Sequence, residues 1–183
     1  MKSFSAEYIR RLFDYDPGTG NLIWKHRPLS DFVNKRAWSV RNSRFAGKAA
    51  GSVQTNGYKK IGLDGAQHYA HRLVWAHQTG NWPSSEIDHI NGNPLDNRIE
   101  NLRLATRSQN MGNSHSSKGS LRLKGVWFCR TRKKYKTAIS RKALGSFLTE
   151  EEAHQAYWEA AKKTFGAFAN PGPGSPFSGG GDE

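Results

Sequence analysis

Residues 86–113 read EIDHINGNPLDNRIENLRLATRSQNMGN. An Asp-His pair opens the stretch, and six asparagines follow it at 91, 93, 97, 101, 110 and 113. Ile87-Asp88-His89-Ile90 reads as a short strand, and Asn91-Gly92-Asn93-Pro94 is strong turn chemistry. Leu102-Arg103-Leu104-Ala105 alternates as a second strand. Thr106-Arg107-Ser108-Gln109 matches a capping box, which predicts a helix beginning at about residue 107. The frame expected around the Asp-His pair is strand, long loop, strand, helix.

That frame suits one kind of chemistry. Phosphodiester hydrolysis needs a deprotonated water, and it needs the charge developing on phosphate and leaving oxygen to be neutralised. A histidine with a near-neutral pKa serves the first need. A divalent metal held by oxygen ligands serves the second. Adjacent residues of a flat strand point to opposite faces, so Asp88 and His89 share a target only where a strand runs out into a loop. Asn110 falls in the first turn of the expected helix, and Asn113, three residues on, shares its face. An amide oxygen is a hard, neutral ligand. Asn101 ends the loop and can tie it down through side-chain hydrogen bonds to backbone. Asn91, Asn93 and Asn97 belong to the connecting loop. A bland reading stands beside this one: Asp-His before Asn-Gly also spells an ordinary turn. His68, His71 and His77 suit packing or surface positions. The whole constellation on one frame, in a very basic chain, favours the chemical reading.

The rest of the chain bounds the partner. Its 183 residues allow one medium domain or two small ones. A formal charge of +13 and a pI near 10.1 point to a polyanion. No apolar run approaches the roughly 20 residues of a spanning helix. The N-terminus, MKSFSAEYIRRLFDYDPGTG, has no apolar signal core, so secretion is not expected. The single cysteine, Cys129, excludes an internal disulfide and a zinc site built on paired cysteines. A reducing, intracellular compartment follows.

Residues 4–13 predict a short amphipathic helix with Tyr8, Ile9, Leu12 and Phe13 on one face. A turn cluster at 16–20 leads to a strand at Leu22-Ile23-Trp24, and residues 27–50 read as irregular and basic. GYKKIGL (57–63) and Gln67-His68-Tyr69 form a hairpin across Asp64-Gly65, followed by a helix over 70–78. Residues 114–121 read as a small-residue linker. From 114 to 149 there is no Asp or Glu, while Lys124, Arg130, Arg132, Lys133, Lys134, Lys136, Arg141 and Lys142 accumulate. Three short antiparallel strands are expected there, at 125–128, 135–139 and 144–147. A capping box at Thr149-Glu150-Glu151-Glu152 then starts a helix with a small-residue face. The Gly/Pro/Ser-rich tail from 171 reads as disordered.

The stretch DHINGNPLDNRIENLRLATRSQNMGN closely resembles the HNH homing-endonuclease family of phages and mobile introns. GYKKIGLDG and HRLVWAHQTGNWP resemble that family's lead-in, so the likeness covers about residues 57–113. The resemblance implies a ββα-metal nuclease core in which His89 is general base and Asp88 and Asn110 hold one Mg2+ or Mn2+ ion. Asn101 is then the middle residue of the motif, orienting loop and base. The third motif position is usually histidine; Asn110 stands there, as in an asparagine-bearing branch, and this leaves open whether Asn110 or Asn113 ligates. Single-metal sites of this kind cut one strand at a time, so nicking is an expected outcome.

KGVWFCRTRKKYKTAISRKALGSFLTEEEAHQAYWEAAKKTFGAFAN, about residues 123–170, resembles the APETALA/ethylene-response-factor type of DNA-binding domain. That implies a three-stranded sheet laid in the major groove and backed by one helix. A small ribbon fits that groove, and arginine forks onto guanine. Trp127, Arg130, Arg132, Lys134, Lys136 and Arg141 are the expected DNA contacts, most of them to phosphate. Arg36, Arg41 and Arg44 are expected to add contacts from the N-terminal region.

The expected class is α+β: a ββα-metal (HNH) core, then a small three-stranded antiparallel sheet packed on one helix. The expected parts are an N-terminal region (1–56), the nuclease core (57–117), a DNA-binding module (118–170) and the tail (171–183). The expected function is site-specific DNA cleavage by a monomer or weak dimer on double-stranded DNA, without zinc or membrane, in the cytoplasm of a bacterial or phage-infected cell. The rivals are a DNA-binding regulator that keeps the HNH frame without cleaving, and an RNA-directed nuclease.

Overall fold

A computed structural model describes residues 4–114, 123–172 and 174–177. The chain divides into two compact units, residues 1–104 and 105–183. Most of the expected linker, and the tail beyond 177, lie outside the described residues.

In the first unit, α1 (Ala6–Leu12) begins at Ser5, whose hydroxyl accepts the Tyr8 N–H at 3.2 Å. Its apolar face buries Ile9 and Leu12 completely. The chain turns directly into β1 (Phe13–Asp16), which pairs antiparallel with β2 (Asn21–Trp24), Phe13 opposite Trp24. The next element is α2 (Lys35–Phe45), capped by Asn34. This corrects the expectation of irregular chain over 27–50. Periodicity could not find α2, because Asn42 is its one buried residue and no apolar stripe runs along it.

Strands β3 (Ser52–Val53), β4 (Lys59–Leu63) and β5 (Ala66–Tyr69) form an antiparallel sheet in that order. Asp64 and Gly65, at φ 50° and 77°, make the tight turn that the Asp-Gly pair predicts. Then come α3 (Ala70–Thr79), ended by Gly80 in the left-handed region, and β6 (Glu86–His89), which pairs with β7 (Leu102–Ala105). Ile9, Leu12, Phe13, Leu22, Ile61, Leu73, Val74, Ile87 and Leu102 share one core. Leu73 and Val74 seat α3, while Ile87 and Leu102 anchor the paired strands. The Asp-His pair is therefore carried on strands rooted in packed side chains.

The second unit opens with α4 (Arg107–Asn113). Thr106 and Gln109 form the complete capping box that the sequence predicts. Strands β8 (Val126–Cys129), β9 (Lys134–Ile139) and β10 (Lys142–Phe147) make an antiparallel sheet in the order β10-β9-β8. On it packs α5 (Glu150–Phe165), started by a second complete capping box at Thr149 and Glu152. Thr137 and Ile139 of β9 are buried, as are Ala153, Tyr157 and Ala161 of α5. Small residues on the helix let it lie close to the sheet.

Gly/Pro-rich composition misreads residues 174–177. The Ser175 hydroxyl hydrogen-bonds His154 Nε2 at 2.7 Å, and Phe177 stacks on His154 and Trp158. No helix among the described residues is long and apolar enough to cross a membrane.

Candidate active site

Asp88 and His89 end β6, and both are buried, at 3% and 5% exposure. His89 Nε2 faces Asn97 Oδ1 at 3.1 Å. An amide oxygen only accepts, so the proton of the neutral ring is on Nε2 and the basic lone pair is on Nδ1. Burial lowers the pKa of His89; the bond to Asn97 and the charges of Asp88 and Asp96 work against that, and the net shift is down. Desolvation thus favours the neutral ring. His71 meets it edge to face at 5.2 Å, and Tyr58 flanks it at 6.1 Å between ring centres. His71 is itself buried and held down to about 3, mainly by desolvation, so it places no positive charge beside His89 at neutral pH.

Asp88 Oδ2 accepts from Arg103 Nε at 2.8 Å, an ion pair between the two paired strands. A carboxylate offers about four lone-pair positions over two oxygens, so this bond does not exhaust it.

The loop from 90 to 101 is held by its own asparagines. Asn101 Oδ1 accepts the Asn91 N–H at 3.0 Å, and Asn101 Nδ2 donates to Asn91 Oδ1 at 3.0 Å and to the Asp96 carbonyl at 2.8 Å. Asp96 accepts from Asn91 and, at 2.8 and 2.7 Å, from the fork of Arg98. The Arg98 bonds hold the Asp96 carboxyl down to about 2. From outside, the Tyr15 hydroxyl accepts the Ile99 N–H at 2.9 Å. Gly20, at φ 70°, lies so close to the backbone of Asn97 and Arg98 that a Cβ there would overlap it. The β1–β2 hairpin thus braces the loop that carries Asn97.

Asn110 lies half-buried in the first turn of α4, in the second unit. Asn113, at the end of α4, is buried, and its side-chain oxygen accepts from Asn170 Nδ2 at 2.9 Å. Lys124 is buried too, and its ammonium donates to the carbonyls of Gly112 (2.7 Å) and Asn170 (2.9 Å). Burial pushes its pKa down to about 8. Gly112 abuts the Phe165 ring: a Cβ there would lie 2.5 Å from Cγ. The helix bearing Asn110 is clamped to the α5 side of its own unit.

Among the expected DNA contacts, Trp127, Lys134 and Lys136 lie on the sheet face away from α5, since they alternate with Thr137 and Ile139. Trp127 sits opposite Lys136 and is 47% exposed. Arg130 and Arg132 are exposed in the β8–β9 turn. Arg141, at φ 70°, is in the β9–β10 turn, at the other end of the sheet.

An open cleft of about 540 Å³ lies elsewhere in the first unit, lined by Arg27, Asp31, Phe32, Arg41 and the 62–67 turn. It touches none of residues 88–101. The donors expected from the sequence are one carboxylate and amide oxygens, and no group of three or more His, Cys, Asp or Glu side chains among the described residues is poised to hold a metal. Such a set suits a hard cation that keeps its own waters and takes further oxygens from phosphate; it does not suit zinc.

Sequence reasoning placed Asn97 only in the loop and gave Arg103 and Lys124 no role toward the site. Asn97 lies eight positions from His89, and no local pattern encodes that pairing.

Residues 68–112 match the family model of HNH endonucleases. The chain is 31% identical over 158 residues to an uncharacterized HNH endonuclease, L560, of Acanthamoeba polyphaga mimivirus, covering 82% of this chain and 78% of that one. It is 35% identical over 72 residues to protein 3.8 of Escherichia phage T7, covering 38% of this chain and 60% of that one. A solved structure of the HNH homing endonuclease I-HmuI, whose subject is DNA binding and cleavage, aligns with 62% of this chain and 57% of that one, at 24% identity and a TM-score of 0.39. The chain thus spans less than two thirds of the phage protein and of I-HmuI. Similarity to L560 over most of both chains, with the family match centred on the Asp-His segment, places this protein in the HNH endonuclease family.

Proposed function

We propose that this protein is a DNA endonuclease in which His89 is the general base, Asp88 and Asn110 are ligands of one Mg2+ or Mn2+ ion, and Asn101 locks the loop. The observation that carries the reading is His89 itself. Burial favours its neutral form, in which Nε2–H is donated to Asn97 and Nδ1 is the basic nitrogen. A base for water must be unprotonated at working pH and fixed in direction; the lowered pKa and the bond to Asn97 support both. Asn101 fixes Asn91 and the Asp96 backbone, and through them the loop that presents Asn97. When bound, a divalent ion supplies charge neutralisation at the scissile phosphate and leaving oxygen.

The C-terminal sheet is the docking surface in this reading, as the APETALA/ethylene-response-factor resemblance implies. Trp127, Lys134 and Lys136 face the duplex, and Arg130, Arg132 and Arg141 reach from the turns. One observation favours the rival of a non-cleaving DNA-binding protein: Asp88 is bonded to Arg103.

Supercoiled plasmid incubated with the protein and Mg2+, with and without chelator, separates the two. Metal-dependent nicking is expected, and no conversion of the supercoiled form would favour the rival. His89→Ala should abolish nicking while Kd for duplex DNA stays within a few-fold; nicking at the unsubstituted rate would remove His89 from the role of base. Duplex RNA should compete poorly for binding.

A further inference from the structure

Helix α2 is fastened by polar contacts. Asn42 Oδ1 accepts the Arg27 N–H at 3.0 Å and its Nδ2 donates to the Arg27 carbonyl at 2.9 Å, where Trp38 Nε1 also donates at 2.9 Å. Arg41 lies over Trp24 and Phe45, its guanidinium carbon 4.8 and 4.5 Å from the ring centres. That cation is occupied in holding the helix. Residues 38, 41, 42 and 45 therefore form the inner face. Arg36, Ser39, Val40, Ser43 and Arg44 are exposed at helical spacing on the other side, Val40 at 59%; Arg44, at the edge of this face, also has its guanidinium carbon 5.2 Å from the Phe45 ring centre.

The composition of the outer face is unusual for a helix that only meets water. A solvating face carries Glu and Lys in i,i+4 pairs, which are also good helix formers. Here there is no acid from Phe32 to Leu63, a span that holds Lys35, Arg36, Arg41, Arg44, Lys48, Lys59 and Lys60. Ser and Val are poorer helix formers than the residues they displace. Arg36 has no ion-pair partner among the described residues. Hydroxyls, one branched apolar side chain and two forked cations suit base edges, a thymine methyl and phosphates. At about 1.5 Å per residue the 11 residues of α2 span about 16 Å, and the B-DNA major groove, about 12 Å wide, admits one helix. Side chains cannot read the deep, narrow major groove of A-form RNA. A membrane surface would call for several large apolar residues on the outer face, where only Val40 stands.

We propose that α2 is a DNA-docking helix that enters the major groove of duplex DNA. Ser39, Val40 and Ser43 meet base edges, and Arg36 and Arg44 hold phosphate or guanine at either side. The proposal rests on DNA being the partner but is independent of which residues cut. It also divides the three N-terminal arginines: Arg41, over both Trp24 and Phe45, supports, while Arg36 and the exposed Arg44, which touches Phe45 alone, bind.

The test uses the full chain carrying Arg36→Gln and Arg44→Gln, with unchanged thermal melting as the control for folding. Duplex binding followed from low to physiological salt should weaken about tenfold, and the slope of log K against log salt should fall by about 0.9 for each of the two cations that neutralises a phosphate. Unchanged affinity and slope would overturn the proposal alone; failure of the unsubstituted chain to bind duplex DNA would overturn it together with the functional reading. The groove is tested by Ser43→Cys in a Cys129→Ser background. A small mixed disulfide tethered to cytosine N4, in the major groove, should exchange with the thiolate of the introduced cysteine, releasing its small thiol and linking protein to DNA. Capture only by the same group tethered to guanine N2, in the minor groove, would overturn entry into the major groove.

Discussion

At the scale of residues, the Asn97–His89 pair makes the sharpest demand. Asn97 is 2% exposed, and its side-chain oxygen makes the 3.1 Å bond that sets the tautomer of His89. Without it the ring can turn over or exchange tautomers, and a base misplaced by about 1 Å can lose on the order of 100-fold in rate. Asn97→Ala should therefore lower kcat for plasmid nicking by about 10- to 100-fold, with KM and duplex Kd changed by less than about threefold. A variant that nicks at the full rate would show that Asn97 only fills the loop. The alternation of Asp88 and His89 was legible as strand-end chemistry. The identity of their partners was not, because Arg103 and Asn97 approach from residues 15 and 8 positions away.

Between elements, the packing of α4 on α5 tests how the Asn110 helix is held. In an isolated helix Gly→Ala gains about 1 kcal/mol. At Gly112 the new methyl would stand 2.5 Å from Phe165, and overpacking a filled site costs about 1–3 kcal/mol. The clash involves three ring atoms of an aromatic side chain. The loss should win, so Gly112→Ala lowers the melting temperature of the protein; a rise would mean that the ring swings clear. Both capping boxes were legible because four consecutive residues specify them. Helix α2 was not, because hydrogen bonds from Asn42 and Trp38 to Arg27, 15 and 11 residues away, fasten it instead of an apolar stripe.

For the molecule as a whole, basic charge and fold divide the work unevenly. Residues 118–170 were expected to form a DNA-binding module following the nuclease core, but α4 belongs to the same compact unit and is clamped by Lys124, Phe165 and Asn170. Deletion of 118–183 should weaken DNA binding, flatten its salt dependence and also lower the nicking rate at saturating DNA. Replacing Arg130, Arg132, Lys134 and Lys136 by Gln keeps those clamps. It should reduce the salt slope by up to about 0.9 for each phosphate that is no longer neutralised, while changing kcat little. An unaltered slope in the substituted protein would remove the sheet from the docking role.

The sequence alone determined that an Asp-His pair ends a strand, that a capped helix with Asn110 in its first turn follows a second strand, and that a very basic sheet-and-helix segment comes after. These are local matters: turn residues, alternation and caps act within a few positions. Tertiary structure decided which asparagine orients His89, which arginine meets Asp88, and why Asn113 is engaged with Asn170. It also decided that α2 turns an exposed face of cations, hydroxyls and one valine outward. A buried polar group must find its partner wherever the packed chain brings one, and that choice has no period in the sequence.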